Sequence, residues 1–170
     1  MNAPVLKEPS LPVLTPRSRP APGWLRDLMT ARAHYEERFG WPVAVQISER
    51  RLAVGLGTML DALTMPAALG AQVHAQLGIA MLAGPVVGHA HGGEWTFLTQ
   101  PLAPMSPTFM ANLVTHGVRY ASAGAYTVIP STPGDKDWQW VNEPRRNQLP
   151  PSPFAVAATV RRVCEATAAH

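Results

Sequence analysis

The sequence predicts an α+β domain, a mixed and largely antiparallel sheet with helices packed on it. Strand-like runs come in pairs joined by short turns, and helical runs separate the pairs. An apolar fraction of 46% against 15% charged residues is the balance of a packed globule, and 170 residues suit one domain with a sizeable core.

The elements follow in order. Residues 1–22 are rich in proline, with few large apolar groups in periodic order, and are expected to form a flexible tail ahead of a single domain over 23–170. From Trp24 to Phe39 the positions of Leu25, Leu28, Met29, Ala33 and Tyr35 fall at roughly helical spacing, and Gly40 supplies a stop. Pro42 to Ser48 has the β-branched content of a strand. After the charged turn Glu49-Arg50-Arg51, Leu52 to Leu56 returns as its hairpin partner. Met59 to Leu77 is rich in Ala, Leu and Met and is expected to be helical, with Pro66 opening a helix rather than breaking one. Pro85 to His89 and Glu94 to Leu98 form a second hairpin about the turn His91-Gly92-Gly93. A short helix runs from the N-cap Ser106, with Pro107 in its first turn, to Thr115. Val118 to Tyr120, Ala125 to Ile129 and Trp138 to Val141 are strands, and the prolines at 150, 151 and 153 introduce a last helix from Phe154 to about Thr167.

The formal net charge is +3, and only Lys7 and Lys136 of the 14 basic residues are lysine. A guanidinium excess suits phosphate contacts, but these arginines are scattered, as the codon usage of a GC-rich bacterial genome would leave them. Cys164 is the only cysteine, so neither an intrachain disulfide nor a cysteine-based zinc site can form. No secretory leader and no apolar run near the ~20 residues of a membrane span is present, so the expected location is cytoplasmic, with no membrane association.

Few side-chain groups carry chemistry. His89 and His91 with Glu94 are the one set suited to a transition metal, weighed against an exposed, unliganded pair beside a glycine-rich turn. His74 and His116 could join such a set only through the fold. Asp135 and Asp137 follow Pro133-Gly134 and suit a turn. Ser122, Ser131 and Cys164 have no base beside them. Trp95, Phe97, Tyr126, Trp138 and Trp140 could stack nucleobases or fill the core, and Arg145 and Arg146 stand just beyond, placed for phosphates.

Four phrases in order resemble the bifunctional DNA primase/polymerase (prim-pol) family. They are Gly40-Trp41-Pro42-Val43, the hairpin Gly92-Gly93-Glu94-Trp95-Thr96-Phe97, the strand pair from Gly117 to Ser131, and the aromatic strand at Trp138-Gln139-Trp140. The likeness is clearest from Gly84 to Pro151. It implies a prim-pol-like fold in which nucleotidyl transfer would need metal-binding carboxylates. At the positions the resemblance assigns to a histidine, an aspartate and an arginine of that family, this chain has Trp95, Arg119 and Ala121. The acidic pair of an early core strand is absent from Val43–Ser48, Leu52–Leu56 and Pro85–His89.

The expectation is therefore a catalytically inactive binding or regulatory protein with no catalytic residues, no metal and no cofactor. It would take a nucleotide or single-stranded nucleic acid through Trp95, Arg119, Tyr126, Trp138, Trp140, Arg145 and Arg146. Arg119 could instead pair with Glu94 across the sheet. Two other readings stand beside it: an active metal-dependent nucleotidyltransferase, or a structural module that binds a protein partner or homodimerises through the Met59–Leu77 helix.

Overall fold

The computed structural model describes residues 20–101, 106–132 and 134–169. All but the end of the expected tail, and the segment between Pro101 and α3, thus lie outside the described residues. Among the described residues four helices and eight strands follow one another. They are α1 (Gly23–Phe39), β1 (Val43–Gln46), β2 (Arg51–Gly55), β3 (Asp61–Pro66), α2 (Ala67–Ile79), β4 (Val86–His89), β5 (Glu94–Thr99), α3 (Pro107–Thr115), β6 (Arg119–Ala121), β7 (Tyr126–Ile129), β8 (Trp138–Asn142) and α4 (Pro153–Ala168). The strands form a three-stranded sheet, β1-β2-β7, and a five-stranded sheet, β6-β3-β5-β4-β8. Every pair is antiparallel, so the α+β class holds.

Local chemistry sets most boundaries. Gly40 ends α1 at φ 69°, a left-handed position that glycine takes without steric cost, and its amide bonds the Glu36 carbonyl. The hydroxyls of Ser106 and Ser152 accept amide hydrogens of Phe109 and Ala155, capping α3 and α4, and each cap is followed by proline.

Two expectations need correction. The stretch from Met59 to Leu77 is not one helix: Asp61–Pro66 is a strand, and α2 begins at Ala67. That strand bonds β5 on one side and β6 on the other, and pairing on both edges outweighs its helix-favouring composition. The face of α2 carrying Gly70, Val73 and Leu77 is buried, with Val73 and Leu77 in a core shared with α4. Second, β6 and β7, which the resemblance implies are a strand pair, do not pair with each other. The chain leaves β6 in the larger sheet and crosses to the smaller one before β7. The β2-to-β3 crossing lies against this one: Gly57, at φ 100°, has no room for a Cβ beside the Ala123 backbone.

Alternation along the strands gives the five-stranded sheet two apolar faces. Leu63, Met65, Val86 and Phe97 meet Val73, Leu77, Leu113, Val156 and Val160 in one core beneath α2, α3 and α4. On the other face Ala62, Val87 and Leu98 meet Leu52, Val54 and Ile129 of the smaller sheet and Leu28 and Tyr35 of α1. Each fully buried Val, Leu, Ile, Met or Phe among them contributes about 1.5–3 kcal/mol through removal from water.

Candidate functional site

The register places one row of side chains across all five strands of the larger sheet: Arg119, Thr64, Thr96, Val87 and Trp140. By alternation this row shares the face of Ala62 and Leu98, toward α1 and the smaller sheet. Its Val87 and Trp140 end is covered, and its β6 end emerges as a polar strip. There the Thr64 and Thr96 hydroxyls are 2.9 Å apart. Arg119 reaches across β3, donating from Nη1 and Nη2 to the Glu94 Oε1 and Oε2 at 2.7 and 2.8 Å. The hydrogen bond from Arg119 holds the Glu94 carboxyl below the ordinary carboxylate range, and Glu94 in turn raises Arg119. Both side chains are exposed, at 65% and 48%.

On the far side of the sheet from β6, His89 packs edge-on against Trp138, its ladder partner, with ring centroids 4.7 Å apart. His89 Nδ1 accepts the His91 amide at 3.2 Å. The Glu94 carboxylate is engaged by Arg119. His74 packs edge-on against Trp95 and His116 closes α3. Among the described residues no three His, Cys, Asp or Glu side chains come together as a metal would require.

Trp140 also lines a cleft of about 580 Å³ between α1 and the segment joining β7 to β8. Its indole donates to the Tyr35 hydroxyl at 2.9 Å, and that hydroxyl donates to the Pro130 carbonyl at 2.8 Å. Trp41 stacks parallel to Tyr35, completing an aromatic wall that burial and hydrogen bonding fix in place. Burial pushes the Tyr35 hydroxyl above its ordinary value, so it remains a neutral donor. His34, Arg38, Ser131 and Thr132 supply polar groups around this wall, with carboxylates at Asp27 and Glu143. Arg145 and Arg146, both exposed, follow directly on Glu143 and Pro144.

Asp135 is the clamp of the β7–β8 segment, as its turn setting implied. Its Oδ2 accepts the Ser131 amide and hydroxyl at 3.1 and 3.0 Å, and its Oδ1 accepts the amides of Asp137 and Trp138, each at 3.1 Å. Burial works to raise this carboxyl, but the four donors prevail and hold it below its ordinary value.

Asp61, missed because β3 was expected to be helical, is fully buried and accepts a hydrogen bond from the Tyr120 hydroxyl. Desolvation, and then this bond to a carboxylate, push the Tyr120 hydroxyl up to about 12. Asp61 opens β3 opposite Thr99, whereas Glu94 sits opposite Pro66, the last residue of β3. At ~3.3 Å per residue the two positions are about 17 Å apart along the ladder, and alternation puts them on opposite faces. Among the described residues they are the only carboxylates on the strands.

The expected ligand-binding residues therefore divide. Arg119, Trp138 and Trp140 share one face of the larger sheet, with Glu94 and His89 beside them. Trp95 is on the opposite face, packed against the backbone at Gly70. Tyr126 is 61% exposed on β7 of the other sheet. The aromatic residues do not form one platform, because positions 95 and 97 alternate into the helical core. Cys164 is half-buried on α4 beside that core, and burial raises its thiol.

No family model matches the chain, and no curated protein and no solved structure matches it either.

Proposed function

We propose that this protein is a catalytically inactive, prim-pol-like binding module that takes up a nucleotide or single-stranded nucleic acid. The observation that carries the inactive half of this reading is the separation of Asp61 from Glu94. Two-metal nucleotidyl transfer requires carboxylates within reach of a metal pair roughly 3.5–4 Å across. Here the strand-borne acids are at opposite ends of a ladder, on opposite faces, and each is bonded to a protein donor. The binding half is supported by the cleft lined by the half-buried Trp140 and by Arg38, with Arg145 and Arg146 following in the chain for phosphate.

Arg119 enters this reading as a guanidinium already occupied by Glu94, so a phosphate must displace a carboxylate to reach it. Titration of a labelled single-stranded oligonucleotide at two salt concentrations tests the proposal. Wild type is expected to bind weakly and with salt sensitivity. Glu94→Gln should bind several-fold more tightly, and Arg119→Ala should flatten the salt dependence by about one unit of slope. Absence of binding by both wild type and Glu94→Gln would sink the proposal.

A second reading, a protein–protein module or homodimer, is favoured by one patch. Ile79, Met81 and Leu82 at the end of α2 are 77%, 89% and 46% exposed, and Met81 adopts φ 57°. A left-handed backbone at an exposed methionine is unusual and costs energy that packing against a partner could offset. Sedimentation of wild type against Met81→Gly separates the two: a dimer lost in the variant supports this second reading, and a monomer at all concentrations removes the homodimer.

A further inference from the structure

Strand β1 is an edge of the smaller sheet, paired with β2 alone among the described residues. The Gly55 amide donates to the Pro42 carbonyl at 2.8 Å, which fixes the phase of the ladder. Pro42, Ala44 and Gln46 turn their backbone groups toward β2, so Val43 and Val45 turn theirs away from it. Those outward groups face a groove of about 920 Å³ that follows the strand edge and is walled by α1. It lies on the flank of α1 opposite the Tyr35–Trp140 cleft and is independent of the reading proposed for that cleft.

We propose that this groove takes an extended acidic segment of a partner protein as an added strand beside β1. The exposed backbone row supplies the pairing. Met29 and Ile47, 48% and 63% exposed, offer apolar contact at the groove's two walls. Charge selects the partner: Arg26 and Arg32 line the groove, and no carboxylate does. Arg32 is shared with Glu36 at 2.8 Å, while Arg26 has no ion pair among the described residues. A second copy of the chain would bring the same arginines to the groove and repel them, so an acidic strand is the better complement.

The test uses the full chain and two fluorescein-labelled peptides, one alternating Glu with Val and one alternating Lys with Val, read by anisotropy. The acidic peptide should bind at least about tenfold more tightly than the basic one. Val45→Pro removes an outward amide that β2 does not use and should weaken binding about fivefold or more. Arg26→Glu lies on an exposed first turn of α1, where a carboxylate is well tolerated, and should erase or invert the charge preference. Should Val45→Pro fold poorly by circular dichroism, Arg26→Glu decides alone. Equal affinity for both peptides, or a preference unchanged by Arg26→Glu, would overturn the proposal. A dimer seen by sedimentation without peptide binding would overturn it in favour of a second copy.

Discussion

The two faces of the five-stranded sheet are built from the same strands, yet they are covered in different ways. The face carrying Leu63, Met65, Val86 and Phe97 is roofed by α2, α3 and α4. The opposite face is roofed only along part of its length, by α1 and the three-stranded sheet. The row continues through the buried Thr96 and the half-buried Thr64 to the Arg119–Glu94 pair, where it reaches solvent. Strand alternation therefore sorts the residues into a face roofed by three helices and a face whose cover ends before Arg119. The two faces differ by a single residue of register.

That separation predicts a graded series of effects. The largest is on the roofed face: Phe97→Ala, at a side chain 1% exposed, should cost about 3–5 kcal/mol in urea unfolding. A loss below about 1 kcal/mol would show that this core is loosely packed. Next comes the buried end of β3, where Tyr120→Phe removes a donor to the Asp61 carboxylate. It should cost about 1.5–3 kcal/mol, while oligonucleotide binding is unchanged.

A smaller, pH-dependent effect belongs to Asp135. Its folded-state value lies below the ordinary one, so the unfolded chain takes up the proton first. The stabilisation it gives is present above the ordinary carboxylate range and is lost as pH falls through the lowered folded value. Asp135→Asn should flatten the acid limb of a stability-against-pH curve and leave the neutral-to-alkaline limb in shape. An acid limb identical to that of wild type would remove Asp135 as the clamp. The smallest effect is on the open face, where Arg119→Ala should change stability by less than about 1 kcal/mol, because both partners of the ion pair are exposed.

What could be anticipated from residues alone follows the same division between local and distant causes. The start of α3 was legible because Ser106 and Pro107 act within one turn of chain. The shared face of Trp138 and Trp140 was legible because it needs only alternation. β3 was not, since its strand state comes from β5 and β6, which are distant in sequence, and its Ala, Leu and Met content favours a helix. With β3 hidden, Asp61 was hidden too. The cleft depends on Tyr35 meeting Pro130, 95 residues away, and Trp140, 105 residues away. No spacing rule brings those together. The Arg119–Glu94 pair was foreseeable as one of two alternatives, because both residues sit at strand ends carrying opposite charge.

Template-directed nucleotide incorporation, assayed with Mg²⁺ and with Mn²⁺ at protein concentrations that saturate oligonucleotide binding, tests the central claim most directly. With Asp61 and Glu94 about 17 Å apart along the ladder and on opposite faces of it, the expected result is bound oligonucleotide and no extension with either metal. Metal-dependent extension that Asp61→Asn abolishes would contradict it, because the buried carboxylate would then be serving a metal rather than Tyr120.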